Sequence, residues 1–262
     1  MPENKLSGAK IRGGEKREKR RGIVVVCIAV ITTICAAALA VRVIPHYLDL
    51  AAARREMAEL QKLNPMSEEM LAINPDYVGW IIINGTAISY PVVKGSDNEK
   101  YLNTAFGGKE NISGTIFMDY RCSGEYVPHI ILYGHNSVDF NGRFFRFGGL
   151  RYYLDGQYMA EHPEIMLAEN NYVSVFEIFS ARETDINDPA YYLDFSEQGS
   201  FAAFAERNGA PAGAEKIITL STCVDNGNDD RRMIVQGVLR DIYPATAEYN
   251  EETGFWDINI HK

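Results

Sequence analysis

Residues 78–93 read VGWIIINGTAISYPVV, two apolar runs around Asn84 and Gly85. Both turn residues tolerate positive φ, so the stretch predicts a β-hairpin between 78–83 and 87–93. Short apolar runs of the same kind recur at 114–118, 129–133, 164–167, 172–180, 216–220 and 233–239, about eight strands in all. Asn170 and Asn171 join two of them tightly. Helix-forming material is sparse beyond residue 75: a turn or two at 97–103, another at 144–153, and SFAAFAER at 200–207. Many strands at short intervals with few helices favour a closed β-barrel or sandwich over a doubly wound α/β sheet.

Upstream of the hairpin the texture changes. Residues 46–63 (HYLDLAAARREMAELQKL) are rich in good helix formers, and Asn64 and Pro65 stop them. Ser67 before Glu68 and Glu69 starts a second, short helix that ends near Asn74 and Pro75. Earlier still, residues 23–41 (IVVVCIAVITTICAAALAV) run 19 positions without a charge, reaching Ile44 if Arg42 snorkels. As a helix that length spans about 30 Å of hydrocarbon. The competing reading, a cleavable signal peptide, has a shorter apolar region of roughly 7–15 residues. Eight Lys or Arg against three Glu give the first 21 residues a charge of +5, which places the N-terminus in the cytoplasm and everything from about residue 45 outside. The expected organisation is a basic tail (1–21), a membrane anchor (22–44), a helical stalk (45–66), an external folded domain (67–243) and an unassigned extension (244–262).

The formal charge of −9 on 262 residues therefore leaves −14 on the remainder. So acidic a body excludes a nucleic-acid partner, which needs a basic surface to displace counterions. Cys27 and Cys35 fall in the apolar run, where small residues pack; Cys122 and Cys223 fall outside it, where they form either one disulfide or free thiols. No His or Cys spacing suggests zinc and no acidic cluster suggests calcium, so no metal or cofactor is expected.

Chemistry concentrates at three points. Cys223 ends the run 216–220 after Ser221 and Thr222, where a buried strand emerges into the polar loop VDNGNDD. A nucleophile belongs there, but a thiol needs an imidazole or a cation to become thiolate. Of five histidines, His46, His162 and His261 read as solvated; His129 starts a strand run and His135 ends it, beside Gly134 and facing a loop. Arg231 and Arg232 open the run MIVQGVL eight and nine residues past the cysteine. A guanidinium there is either a solvated strand-end charge, paired with Asp229 or Asp230, or a donor to a carbonyl oxygen as charge develops on it.

TLSTC at 219–223, an arginine opening an apolar strand soon after it, and YGHN at 133–136 upstream resemble the signature segments of the sortases. INPDYVGWIIINGTAISYPVVKGSDNEKYLN and GTIFMDYR are similar to the N-terminal part of class B sortases, so the resemblance covers roughly residues 70–240. It implies a mainly β fold, a closed eight-stranded barrel with N-terminal helices and a helical insertion before the last strands, on the outside of a Gram-positive-type cell. It also implies a cysteine transpeptidase that cleaves a C-terminal sorting motif, holds the acyl group as a thioester and passes it to an amine of a peptidoglycan cross-bridge or a pilin lysine. By matching position Cys223 is the nucleophile, His135 the acid and base, and Arg232, which adjoins the apolar run directly, the oxyanion or substrate brace. Asn98, Leu102, Tyr133, Ser221, Tyr192 and Leu193 fall where class B enzymes line the substrate groove, with 183–207 as the wall insertion. Asp225 is a candidate to orient His135, beside its reading as a solvated loop acid. The family's loop after the histidine is longer here, SVDFN intervening before Gly142, and Phe144 stands in place of a methionine. Two other readings remain: a secreted cysteine peptidase that hydrolyses its acyl-enzyme, and a tethered non-catalytic β-barrel in which Cys122 and Cys223 are bonded.

Overall fold

The computed structural model describes residues 5–124, 127–138, 141–197, 199–224, 230–252 and 255–261, with side chains from Arg20 onward except Phe255. The chain divides into two units, Met1–Leu48 and Asp49–Lys262. Helix α1 (Lys5–Leu60) contributes to both. In the first unit Ile23, Val30, Leu39 and Val41 are each more than half exposed. The stretch Arg20–Leu60 is the one helix among the described residues long and apolar enough to cross a membrane. In the second unit the helix turns a stripe inward: Leu50, Ala53, Met57 and Leu60, at helical spacing, are buried in the core. Of the residues read as a stalk, the last turns of helix thus belong to the packing of the domain. Helix α2 (Glu68–Ile73) follows and buries Met70.

The second unit is a closed barrel. Its strands are β1 (Tyr77–Ile82), β2 (Ser89–Val93), β3 (Ile116–Met118), β4 (His129–Tyr133), β7 (Glu164–Glu169), β8 (Tyr172–Asp185), β9 (Ile217–Cys223) and β10 (Arg231–Asn250). They run in the spatial order β10-β8-β7-β1-β2-β3-β4-β9, and β9 pairs back onto β10 to close the ring of eight. Two pairs are parallel, β2 with β3 and β4 with β9; the rest are antiparallel. Closure removes the exposed edges that an open sheet leaves for wrong pairing. The interior is filled by aliphatic side chains, among them Ile81, Val92, Ile116, Leu132, Ile165 and Ile218, all fully buried. Truncating one of these to Ala costs about 2–5 kcal/mol.

Local readings differ from the structure in three places, each for a physical reason. The hairpin forms with Ile82 opposite Ser89, so six residues connect the strands and only Gly85, at φ +75°, takes the left-handed conformation. Thr86 explains the wider turn: its hydroxyl donates to the Ile83 carbonyl and accepts from the Ile88 amide, offering the backbone a side-chain partner in place of a two-residue turn. The segment 144–153 begins as strand, β6 (Phe144–Arg146), paired with β5 (Asn136–Val138), before 3₁₀ turns carry Gly148–Leu154 into α3 (Gly156–Glu161). The unassigned extension is β structure: β10 runs on to Asn250 and hairpins into β11 (Phe255–Ile260), with Trp256 Nε1 donating to the Lys62 carbonyl at 2.9 Å. Between β8 and β9 lie a 3₁₀ turn (Pro189–Tyr191) and α4 (Ser200–Arg207).

Candidate active site

The barrel order puts β4, β9 and β10 side by side, and their registers decide what meets at one open end. Strand β9 is buried through Thr222, and only its last residue, Cys223, is exposed. In the parallel β4–β9 pair Tyr133 lies opposite Ser221, and the Gly134 amide donates to the Ser221 carbonyl at 3.1 Å. Two residues further on, one strand delivers His135 and the other Cys223; neighbouring strands lie about 4.8 Å apart. On the other flank Arg232 is the direct partner of Cys223 in the antiparallel β9–β10 pair. Sulfur, imidazole and guanidinium therefore come from three consecutive strands of the barrel wall.

Gly134 is required by this geometry. A Cβ there would lie 2.3 Å from Ile116 Cδ1 and 2.9 Å from the Phe147 ring. His135 Nε2 lies 2.6 Å from the Leu102 carbonyl oxygen. A carbonyl can only accept, so Nε2 carries the proton and Nδ1 the lone pair when the ring is neutral. Arg232 is half-buried and its Nη1 donates to its neighbour's carbonyl at 3.0 Å. Arg231 points elsewhere, onto Glu183 at 2.7 Å.

His135, Cys223 and Arg232 line a cavity of about 670 Å³ together with Asn98, Leu102, Tyr133, Ser221 and Tyr192. Leu193 is not among its lining residues. It lines a second cavity of about 460 Å³ beside Phe195 and Phe201, which shares Arg121 with the first. Tyr191, the last residue of the 3₁₀ turn Pro189–Tyr191, lines the first cavity with Tyr192. Tyr191 donates to or accepts from Ser221 Oγ at 2.8 Å and stacks on Tyr133 at 6.4 Å and 10°. Burial, reinforced by Asp188 and Cys223 and opposed by Ser221 and Arg232, pushes its phenol up to about 12. Asp188 caps the turn, accepting from the Ala190 amide at 2.7 Å and pairing with Arg182 at 2.9 Å. Tyr191 belongs to the wall insertion read at 183–207; sequence reasoning left out Phe117 and Arg121, which line the cavity from the GTIFMDYR segment. Asp225 lies outside the described residues. Cys122 and Cys223 are both free, which removes the bonded-module reading. Among the described residues no group of three or more His, Cys, Asp or Glu side chains is placed to hold a metal.

A closed mixed barrel with a free thiol, an imidazole and a guanidinium at one open end is the arrangement of a cysteine acyl-transfer enzyme. The Sortase domain family matches residues 81–240. Sortase B of Listeria monocytogenes is 33% identical over 199 residues, covering 71% of this chain and 74% of that protein. Sortase B of Staphylococcus aureus is 31% identical over 186 residues, covering 67% and 74%. Among solved structures, sortase B from B. anthracis in complex with AAEK1 superposes with a TM-score of 0.63 at 28% identity, over 74% of this chain and 98% of that one. An S. aureus sortase B–substrate complex gives 0.60 at 27%, over 74% and 94%. The chain belongs to the sortase family, in its class B, and is accordingly a cysteine transpeptidase of the kind that serves cell-wall anchoring.

Proposed function

We propose that Cys223 attacks the scissile carbonyl of a C-terminal sorting motif in a secreted protein and that the acyl group is then passed to an amine, either of a peptidoglycan cross-bridge or of a pilin lysine. The observation that carries this reading is the pair of registers, Tyr133 opposite Ser221 and Cys223 opposite Arg232, at the mouth of one cavity. In the first half the Cys223 thiolate adds to the carbonyl carbon, His135 gives a proton to the departing amine, and the C–N bond breaks to leave a thioester. In the second half His135 takes a proton from the incoming amine, which displaces sulfur. Arg232 donates to the carbonyl oxygen while it carries negative charge. Asn98, Leu102, Tyr133, Ser221 and Tyr192 line the path of the peptide, and Tyr191 joins them through its contact with Ser221. Residues 22–44 anchor the enzyme with its N-terminus in the cytoplasm and the barrel outside, which the basic first 21 residues support.

The test uses the full chain in detergent micelles with a panel of sorting-motif peptides and an amine acceptor. Mass spectrometry is expected to find a thioester at Cys223 and, with amine added, the amide product. If only free acid forms even at high amine concentration, the enzyme is a hydrolase and the transfer step is wrong.

A further inference from the structure

Behind the cavity wall lies a carboxylate that the mechanism above does not use. Asp119 follows β3 and is completely buried. Its Oδ2 accepts from Asn98 Nδ2 at 2.9 Å, Arg121 Nη2 at 2.7 Å and the Tyr133 hydroxyl at 3.0 Å. Its Oδ1 accepts from Arg121 Nε at 2.9 Å and the Arg121 amide at 3.0 Å. Five donors converge on one carboxylate. Burial alone would raise the carboxyl, but the Arg121 guanidinium, the Arg121 amide and Asn98 outweigh it and hold the group below the usual carboxylate range.

The partners matter more than their number. Asn98 comes from the loop after β2, Arg121 from the turn after β3 and Tyr133 from the end of β4, and all three line the cavity that holds Cys223. Each is fixed in orientation as well as in place. Asn98 gives Nδ2 to Asp119 while its Oδ1 accepts from the Tyr120 amide at 3.0 Å, so its carboxamide cannot flip without losing both bonds. Arg121 is forked onto both carboxylate oxygens, the geometry that a guanidinium shares with no ammonium. Tyr133 commits its hydrogen to Asp119, which leaves its oxygen lone pairs as the acceptors, and its ring packs between Phe117 at 5.3 Å and Tyr191. A buried charge is a weak device for stability, since an apolar residue of similar volume often does as well. A buried charge whose every side-chain partner faces one cavity has a different use: it sets the wall's donors and acceptors before the peptide arrives.

We propose that Asp119 is a positioning residue for peptide binding, acting through Asn98, Arg121 and Tyr133 without itself touching the substrate. The inference rests on the reading of this cavity as the site where Cys223 reacts. Asp119→Asn tests it, because a carboxamide keeps the shape but offers one oxygen where five donors converge and turns N–H groups toward Arg121. With the peptide that the wild-type chain acylates best, the variant is expected to raise KM by about 10-fold or more while kcat stays within about 3-fold, since uniform binding is lost and the chemical groups are not. Alkylation of Cys223 by iodoacetamide, which needs no wall, should keep its rate. A KM unchanged from wild type overturns the inference, and so does a parallel fall in kcat and in alkylation, which would mark a purely structural role. Should Asp119→Asn fail to fold, Arg121→Lys keeps the charge but not the fork; it is expected to raise KM with alkylation intact, and an unchanged KM there is equally fatal. Failure of the underlying reading has its own signature: wild-type protein then forms no thioester at Cys223 with any peptide, and the inference falls with it.

Discussion

The barrel holds two cysteine–histidine pairs, one at each end of β4, and they are opposites. At the start of the strand Cys122 is buried and its thiol lies 3.5 Å from the carbonyl oxygen of His129. Burial pushes that thiol up to about 11 and the His129 imidazole down to about 4. Both His129 nitrogens are occupied: Nδ1 donates to the Tyr192 carbonyl at 2.9 Å, and Nε2 accepts from Thr219, whose oxygen in turn accepts from Gln236. Phe204 packs on the ring at 4.7 Å. At the far end of the strand Cys223 is exposed and His135 has one nitrogen tied to Leu102. The same two residue types are thus inert where the thiol is buried and both imidazole nitrogens are hydrogen-bonded, and available for chemistry where the strand runs out into the cavity that holds Cys223.

The sharpest way to break this contrast is to remove each sulfur in turn. Cys223→Ala is expected to abolish the acyl-enzyme, read as loss of the thioester mass. Cys122→Ala should acylate like wild type and lose on the order of 1 kcal/mol of stability from the small void. Acylation that survived the first change or vanished with the second would reverse the roles. Alkylation compares the two thiols in one molecule. A thiol at about 11 holds on the order of one part in a thousand thiolate at pH 8, and burial blocks access besides. Iodoacetamide at pH 8 should therefore modify Cys223 at least about 100-fold faster than Cys122, with the difference gone in denaturant. Equal native rates would contradict the burial of Cys122.

The two adjacent arginines extend the comparison to the cation. Arg232→Ala should lower kcat/KM on the order of 100-fold, as for removal of one oxyanion donor. Arg231 faces Glu183 in a pair about 40% exposed, so Arg231→Ala should cost at most about 1 kcal/mol of stability and little activity. The reverse ranking would move the brace to Arg231.

What could be read from residues alone follows the same divide between local and distant causes. The strands of a β-barrel or sandwich, and Cys223 as a residue emerging from a buried strand, were legible because apolar runs and turn residues act over a few positions; the closed eight-stranded barrel came from the resemblance. The choice of His135 over His129 came from position: one ends an apolar run just after a glycine, the other begins it. Resemblance, not spacing, supplied Asn98 and Leu102, since only the folded chain brings the Leu102 carbonyl, 33 positions upstream, onto the His135 imidazole. Tyr191 was placed only within the wall insertion at 183–207, and Arg121 was left out, because a 3₁₀ turn and a carboxylate set their directions, neither of which has a period. The β10–β11 hairpin was missed because its polar, alternating residues, such as Thr246, Glu248 and Asn250, give no continuous apolar run.

The smallest predicted effect concerns His129, and it turns the buried pair into a measurable. Its imidazole is held near 4 when folded against about 6.5 when unfolded, first by burial, with the Tyr192 hydrogen bond and Asp119 opposing. Between those values the unfolded chain binds a proton that the folded one refuses, so stability is fully present above pH 6.5 and falls as pH drops toward 4. The slope has a limit of about 1.4 kcal/mol per pH unit for one group. Urea midpoints at pH 7, 6 and 5 should decline accordingly, and His129→Gln, which keeps a donor and an acceptor but cannot titrate, should flatten that part of the decline. If His129→Gln declined with pH as steeply as the wild-type chain, the burial of this imidazole would not be what sets that part of the decline.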